Sequence, residues 1–129
     1  MFENIQRGTY AIGKNEIYFR SKWEANYCLY LEWLKETGEI KDWEYEPERY
    51  DFIYKDGERL RALGLGYLPD FRVTNNDGSI YLVELKGYKQ GANKLKRMKK
   101  YYPHIKIELV EKKEYTILKN KLGKMLNFY

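Results

Sequence analysis

Three charged residues that lie close together in the chain could bind a metal ion and cleave a phosphodiester. Asp70 comes fourteen residues before Glu84, and Lys86 follows two positions later. Between the two acids, residues 75–78 read Asn-Asn-Asp-Gly, which favours a tight reversal of the chain. One hairpin could therefore bring together two carboxylates and an ammonium group, the side chains that metal-dependent phosphodiester hydrolysis uses.

The chemistry of this turn predicts the register of the hairpin. With Asn76 and Asp77 in a type I turn and Gly78 in the left-handed region, the loop has three residues. Paired residues then have numbers that add up to 154. In that register Asp70 lies directly opposite Glu84.

The face that each side chain takes follows from the alternation along a strand. Glu84 and Lys86 share one face, while Val83 and Leu85 take the other. Carboxylates about 4 Å apart repel by roughly 4 kcal/mol at an effective dielectric constant of 20, so an offsetting cation is expected. Lys86 can neutralise one charge and a divalent ion the rest. The alternative is an exposed hairpin whose charges form ordinary solvated pairs.

The positive charge of the chain is concentrated in one segment. The 129 residues have a net charge of +5, and no acidic residue occurs between Glu84 and Glu108. This concentration indicates an anionic partner, usually nucleic acid for such a domain, although a charge run can also be a solvated helix face. The basic residues of the segment are Lys86, Lys89, Lys94, Lys96, Arg97, Lys99, Lys100 and Lys106.

Composition also excludes several classes of protein. The single cysteine, Cys28, excludes an intrachain disulfide and a cysteine-rich zinc site. No stretch is apolar enough to span a membrane, and the N-terminus lacks the apolar core of a secretion signal. We therefore expect a cytoplasmic protein that does not associate with membranes.

Hydrophobic periodicity predicts one domain, residues 1–129, in which helices and strands alternate. Helices are expected from the capping box at Ser21 to Gly38, from Gly87 to Pro103 and over 112–127, and strands over 16–19, 40–47, 48–54 and 105–110, besides the two of the hairpin. This order favours a mixed sheet flanked by helices, in an α/β or α+β arrangement, and does not fix the strand order. We adopt the α/β class.

Glu24 and Glu46 are further acidic candidates. On a helical wheel Glu24 falls about 70° from the centre of the apolar stripe, from where a carboxylate could reach over a strand edge. From spacing alone, its position in the capping box is better explained by a hydrogen bond from the Ser21 amide to the Glu24 side chain. Glu46 precedes Pro47 on a predicted strand and could be a surface residue, so we rank it below Glu24 as a metal ligand.

Several motifs together resemble the small phage-encoded nucleases of the PD-(D/E)xK superfamily. They cover residues 19 to about 107, and the similarity extends more distantly to archaeal-type Holliday junction resolvases and the end-cleaving nuclease subunits of some transposons. The motifs are Phe19-Arg20-Ser21-Lys22-Trp23-Glu24-Ala25, Tyr27, Leu31, Gly38-Glu39-Ile40, Tyr45-Glu46-Pro47, Tyr67-Leu68-Pro69-Asp70-Phe71, Val83-Glu84-Leu85-Lys86-Gly87, Lys94-Leu95-Lys96 and Tyr102-Pro103. The resemblance implies a restriction-endonuclease-like mixed sheet flanked by helices.

The resemblance also implies a set of catalytic residues. Its active site maps to Glu24, Asp70, Glu84 and Lys86. Asp70, Glu84 and the backbone carbonyl of Leu85 would hold one or two Mg²⁺ ions, with Mn²⁺ as a substitute, and Glu24 would complete the coordination shell. Lys86 would orient the attacking water or stabilise the developing charge. An additional Gln or Lys from the next helix is expected near the site, and the candidates are Gln90, Lys94 and Lys96.

The function that follows is a Mg²⁺-dependent DNA endonuclease from a phage or related mobile element, acting in recombination, repair or genome processing in the host cytoplasm. Branched DNA, a Holliday junction or a flap, is the favoured substrate by analogy alone, because the superfamily also cuts linear, nicked and single-stranded DNA. Two coordinated cuts would favour a homodimer. The phosphate backbone would be bound by Lys89, Lys94, Lys96, Arg97, Lys99 and Lys100.

Two other classes of protein stay open. The basic helix, residues 90–101, could belong to a nucleic-acid-binding module without catalytic activity, and the whole domain could be a structural interaction protein. Tyr88, Tyr101 and Tyr102 could stack on unpaired bases, although packing is the more common role of such residues. His104, the only histidine, is interpreted as structural or solvated.

Overall fold

The computed structural model describes residues 8–12, 15–19, 21–85 and 89–129. Over these ranges the chain forms eight strands and three helices. In chain order they are β1 (Gly8–Ile12), β2 (Asn15–Phe19), α1 (Lys22–Glu36), β3 (Asp42–Tyr45), β4 (Tyr50–Asp56), β5 (Arg59–Tyr67), β6 (Phe71–Thr74), β7 (Ile80–Leu85), α2 (Lys89–Tyr101), β8 (Lys106–Val110) and α3 (Lys112–Leu122).

A four-stranded mixed sheet with the order β3-β6-β7-β8 forms the centre of the fold. Strand β6 is antiparallel to both of its neighbours, β3 and β7, whereas β8 runs parallel to β7. A parallel pair needs a long crossover connection, and α2 lies within it. Two antiparallel hairpins, β1–β2 and β4–β5, accompany the sheet. The expected α/β class, with a mixed sheet flanked by helices, is confirmed.

The hairpin of β6 and β7 has the register that the turn residues predict. Phe71 pairs with Val83, and Thr74 pairs with Ile80. The Gly78 amide donates to the Asn75 carbonyl at 2.9 Å, and Gly78 has the left-handed φ of 89° that the third loop position requires. The paired register ends with Phe71 and Val83, and the preceding residue, Asp70, is joined to β7 by a hydrogen bond from its amide to the Val83 carbonyl.

Helix α1 lies along β3 in the antiparallel direction. The Ser21 hydroxyl caps the helix by accepting from the Glu24 amide, and the helix ends at the Thr37 cap, as the sequence predicts. Lys35, in the last turn, forms an ion pair with Asp42 at the start of β3. The Tyr45 hydroxyl, at the end of β3, reaches Glu24 in the first turn. The N-terminus of α1 therefore lies at the end of the sheet where β3 ends and β6 begins.

The central sheet buries a different core on each face. On the first, here called the α1 face, Val83 and Leu85 pack with α1 and α3. On the second, here called the β4–β5 face, Leu82 packs with the β4–β5 hairpin and α2. The α1 face also contains Ala25, Tyr27, Cys28, Leu31, Phe71, Val73 and Tyr115, and the β4–β5 face contains Tyr50, Phe52, Tyr67 and Met98.

The last helix is shorter than the periodicity suggests. It was expected to extend to Asn127 with Met125 on its apolar side, but α3 ends at Leu122 and Met125 is 57% exposed. Gly123 caps the helix, which accords with the low helix propensity of glycine. The chain then turns back so that the Tyr129 amide donates to the Asn26 side chain at 2.6 Å. This long-range contact joins the last residue to α1.

Two other features of the fold bear on the sequence analysis. The expected extended segment over 16–19 is confirmed as part of β2, whereas β1 has no counterpart among the sequence-based elements. Over the ranges that the structure describes, no helix combines the length and the apolar composition needed to cross a lipid bilayer.

Candidate active site

Asp70 is buried at the point where the chain enters β6, and hydrogen bonds hold both its backbone and its side chain. Its amide donates to the Val83 carbonyl at 3.1 Å, and its Oδ2 accepts from the Leu85 amide at 2.7 Å. These two bonds lie on either side of Glu84 in β7. The carboxylate of Asp70 is therefore fixed beside the peptide that carries Glu84.

Glu84 approaches the same place from the β4–β5 face. Alternation along β7 puts it on the side opposite to Val83 and Leu85. Its Oε1 accepts a hydrogen bond from the hydroxyl of Tyr67, the last residue of β5, at 2.7 Å. Because Tyr67 is buried in the core of that face, this contact fixes the direction of the Glu84 side chain.

Tyr67 is subject to the charges of both carboxylates. Burial raises the pKa of its phenol above the ordinary value of 10.0, and the negative charges of Glu84 and then Asp70 raise it further. The hydroxyl therefore stays protonated at neutral pH and remains a hydrogen-bond donor to Glu84.

Glu24 reaches this end of the sheet from the α1 face. Its Oε1 accepts from the Tyr45 hydroxyl at 2.6 Å. Tyr45 pairs with Phe71, the residue after Asp70, so Glu24 is joined to the hairpin through one phenol. At the N-cap, the Glu24 amide donates to the Ser21 hydroxyl at 3.3 Å. The structure therefore gives Glu24 a contact toward the sheet in addition to its position in the cap.

Glu46 contributes a backbone contact. Its amide donates to the Asp70 carbonyl at 2.8 Å, which ties the end of β3 to the start of β6. Its φ of 43° lies in the left-handed region, which is uncommon for a residue other than glycine. This conformation turns the chain out of β3 immediately before Pro47.

Several residues named in the sequence analysis lie outside what the structure describes. Lys86 and Tyr88 fall in the segment 86–88, and the side chains of Lys89 and Gln90 are likewise outside the described set. The proposed roles of these four residues remain predictions. Leu85 lies within the described residues. The hydrogen bond from its amide to the Asp70 carboxylate places its peptide group beside the two acids.

The donor set at this position suits a magnesium ion. Among the described residues, no three Asp, Glu, His or Cys side chains form a group that could hold a metal. Mg²⁺ is usually held by only one or two carboxylates, and its other ligands are waters and substrate phosphates. Asp70, Glu84 and the Leu85 carbonyl provide hard oxygen donors of that kind. These donors fit a metal ion whose remaining coordination positions are filled by water and substrate phosphate.

Helix α2, which follows β7 along the chain, presents a basic surface. Met98 is buried in the core of the β4–β5 face, and Leu95 packs against the same core. The opposite side of the helix is polar: Lys94, Lys96, Lys99 and Lys100 are exposed and Arg97 is half-buried. Because α2 follows β7 along the chain, these lysines belong to the element that leaves the acidic strand.

The aromatic residues at the end of α2 pack within the protein. The ring of Tyr101 lies 5.6 Å from that of Phe52, and the Tyr102 hydroxyl donates to the Asp51 carbonyl at 2.6 Å. Tyr102 also contacts the ring of Tyr50 edge to face. Tyr101 and Tyr102 therefore pack within the protein, which was the alternative to stacking on unpaired bases. His104 is exposed in the turn between α2 and β8, which agrees with a solvated residue.

Sequence reasoning missed the part played by Tyr45 and Tyr67. Both occur within the motifs that carry the resemblance, directly before Glu46-Pro47 and three residues before Asp70. The chain contains 14 tyrosines, and neither hydroxyl is adjacent in sequence to the carboxylate that it contacts. The position of each tyrosine near an acidic motif was the available signal. It did not indicate to which acid each hydroxyl would donate a hydrogen bond.

These features define a mixed α/β domain in which Asp70 and Glu84 lie on adjacent segments at one end of the central sheet and the helix that follows β7 is basic. The chain belongs to the family described as "Protein of unknown function (DUF1064)", whose model matches residues 8–118. No curated protein and no solved structure matches it.

Proposed function

We propose that this protein is a Mg²⁺-dependent endonuclease that hydrolyses phosphodiester bonds in DNA. The observation that carries the proposal is that Asp70 is hydrogen-bonded to the residues on both sides of Glu84, while Glu84 accepts from the Tyr67 hydroxyl and both charges act on that hydroxyl. Carboxylates held on adjacent segments of chain repel each other. A bound divalent cation would offset that repulsion and would explain why the two carboxylates are held close together.

Each residue has a role in this proposal. Asp70, Glu84 and the Leu85 carbonyl would hold the metal, and Glu24 would orient a metal-bound water from the α1 side. The bound ion would polarise the scissile phosphate and lower the pKa of the attacking water. Lys86, two residues after Glu84, would stabilise negative charge on the phosphate, as the resemblance to PD-(D/E)xK nucleases implies.

The exposed lysines of α2 support nucleic acid as the substrate. A helix with Lys94, Lys96, Lys99 and Lys100 toward solvent can follow a phosphate backbone without reading its sequence. We propose branched DNA as the preferred form, on the family analogy, and the cytoplasm as the site of action. Paired cuts in such a substrate would require two copies of the chain, related by a twofold axis.

A cleavage assay tests the proposal. The purified protein is incubated with Mg²⁺ or Mn²⁺ and with end-labelled junction, flap, linear duplex and single-stranded DNA. We expect metal-dependent cleavage, fastest on the branched forms. Loss of a metal ligand removes several kcal/mol of transition-state stabilisation, so Asp70→Asn and Glu84→Gln should each be slower by about a thousandfold.

The chain provides matched controls for these two variants. Asp77→Asn removes an exposed acid at the other end of the same hairpin, and Glu108→Gln removes an exposed acid on the neighbouring strand β8. Both should retain wild-type rates. If no DNA is cut, or if Asp70→Asn cleaves as fast as wild type, the protein is not this enzyme.

The second candidate is a nucleic-acid-binding module without catalytic activity. It is favoured by the absence, among the described residues, of a group of three metal-binding side chains, together with the exposed lysines of α2. Thermal unfolding with and without Mn²⁺ separates the two functions. A metal site should raise the midpoint in a saturable manner, whereas a binding module should show salt-dependent DNA affinity and an unchanged midpoint.

A further inference from the structure

The two outermost acids of the candidate site are each held by a tyrosine, and the two tyrosines approach from opposite faces of the sheet. Tyr67 donates to Glu84 at 2.7 Å from the β4–β5 face, and Tyr45 donates to Glu24 at 2.6 Å from the α1 face. In both contacts the acceptor is one oxygen of the carboxylate, Oε1. The contacts are therefore equivalent in chemistry and opposite in direction.

Both phenol rings are anchored in well-packed surroundings. Tyr67 pairs with Tyr50 at the base of the β4–β5 hairpin and is 4% exposed. Tyr45 pairs with Phe71 in the central sheet, and the two rings lie 5.4 Å apart. Because neither ring can move without disturbing a strand pair, each hydroxyl is presented at a fixed position.

A fixed donor limits the rotation of the carboxylate that it binds. A glutamate otherwise loses rotamer freedom when it engages a ligand, and that loss weakens binding. Outer partners that orient a metal-binding side chain commonly change metal affinity or activity by about 10- to 100-fold. A phenol that orients Glu84 before metal arrives would therefore improve the affinity of the site.

We propose that Tyr67 and Tyr45 are positioning residues that orient Glu84 and Glu24 for divalent-metal binding, an inference that rests on the proposed function. Tyr67 has the larger effect, because Glu84 lies between the two residues to which Asp70 is hydrogen-bonded and would bind the metal directly. Tyr45 has the smaller effect, because Glu24 completes the site from another element. The sheet thus presents its acidic end between two fixed phenols.

Mn²⁺ binding to the DNA-free protein tests this proposal by calorimetry. Tyr67→Phe removes the hydroxyl and keeps the buried ring, and we expect its Kd for Mn²⁺ to rise by about tenfold or more. Tyr45→Phe should raise the Kd by a smaller factor. The affinity for duplex DNA without metal should be unchanged in both variants, since neither hydroxyl contributes positive charge.

Tyr115→Phe is the matched control. Tyr115 is also a buried tyrosine whose hydroxyl has a side-chain partner, Asn26, but it lies on α3 away from the acids. Its Mn²⁺ affinity should equal that of wild type, which separates loss of a buried hydroxyl from loss of orientation at the site.

The outcomes separate the positioning role from the function itself. If wild type binds Mn²⁺ and cleaves DNA but Tyr67→Phe has an unchanged Kd, the positioning role is overturned and the nuclease remains. If wild type binds Mn²⁺ but cuts no DNA, the nuclease is overturned, and a weaker Kd in Tyr67→Phe still supports orientation of a metal site. If wild type binds no Mn²⁺, both are overturned.

Discussion

The two faces of the central sheet differ in what they contribute. On the α1 face, Phe71 contacts three aromatic rings within a large core, and Glu24 reaches only the end of the sheet through Tyr45. On the β4–β5 face the core is smaller, and Glu84 and Tyr67 border it. Packing thus dominates one face, and the charged groups concentrate on the other. The candidate site lies where the faces meet, at the end of the sheet.

The helices that pack on the two faces also differ in charge, because only the helices on the α1 face contain acidic residues. Helix α3, on the α1 face, begins with a capping box formed by Glu111 and Glu114. Helix α2, on the β4–β5 face, has no acidic residue in its first turn and two lysines in its last. Both helices are rich in lysine, but only the lysines of α2 lie in a segment without neighbouring acids.

The largest expected effect is on stability and compares one phenylalanine from each face. Phe71→Ala should cost about 4 kcal/mol of unfolding free energy, because the fully buried ring contacts Tyr27, Trp43 and Tyr45. Phe52→Ala should cost less, about 3 kcal/mol, because its ring has one close aromatic neighbour, Tyr101. Urea unfolding measures both. A larger loss from Phe52→Ala would reverse the comparison of the two cores.

The next effect compares the lysines of the two helices. Replacement of Lys96, Lys99 and Lys100 with Gln should lower the slope of log K against log salt for duplex DNA by about 3, since each lysine neutralises about one phosphate. At 0.1 M salt the affinity should fall by about a hundredfold or more. Fluorescence anisotropy without metal measures both quantities.

The control for these lysines lies on α3. Lys112, Lys113 and Lys121 are also exposed, and their replacement with Gln changes the net charge of the protein equally. The salt slope should then change little. Equal losses from both triple variants would show that net charge, and not the α2 surface, determines binding.

A smaller loss of stability is expected from removal of the hydrogen bonds that Asn26 of α1 forms with Tyr115 and Tyr129. Asn26, which is 2% exposed, donates to the Tyr115 hydroxyl at 2.9 Å and accepts from the Tyr129 amide. Asn26→Ala leaves buried polar groups without their partner, so we expect a loss of about 2 kcal/mol in unfolding free energy. Tyr115→Phe removes one of these bonds and should cost less. Chemical denaturation of the two variants checks this order.

The smallest effect concerns the acid at the far end of the β6–β7 hairpin. The Asp77 carboxylate accepts from the Ser79 hydroxyl and amide, and these bonds lower its pKa below the ordinary 3.8. Because the pKa of Asp77 is lower in the folded state than in the unfolded state, its ionised carboxylate stabilises the fold. This stabilisation is fully present above the unfolded pKa and is lost as the pH falls through the folded pKa. NMR titration of Asp77 measures this pKa directly. A value at or above 3.8 would contradict these hydrogen bonds.

Local chemistry was sufficient to predict the hairpin and the first helix. The residues Asn-Asn-Asp-Gly determined the loop, and the loop determined the register in which Phe71 pairs with Val83. Ser21 and the aromatic stripe of α1 identified that helix and the side that it buries. These features depend on neighbours within a few positions of the sequence, where turn and capping rules apply directly.

Features that depend on distant contacts were not predictable in this way. Tyr67 is 17 residues from Glu84, and Tyr45 is 21 residues from Glu24. Their contacts require knowledge of how the β4–β5 hairpin and α1 pack on the sheet. The contact between Tyr129 and Asn26, which are 103 positions apart, is likewise long-range.

The most direct test of the account is crystallographic. Crystals of the protein soaked in millimolar Mn²⁺ are measured at a wavelength where manganese scatters anomalously. We expect the strongest anomalous peak between the carboxylates of Asp70 and Glu84, within coordination distance of both. A strongest peak elsewhere, or no peak at saturating Mn²⁺, would contradict the claim that these two acids form a divalent-metal site.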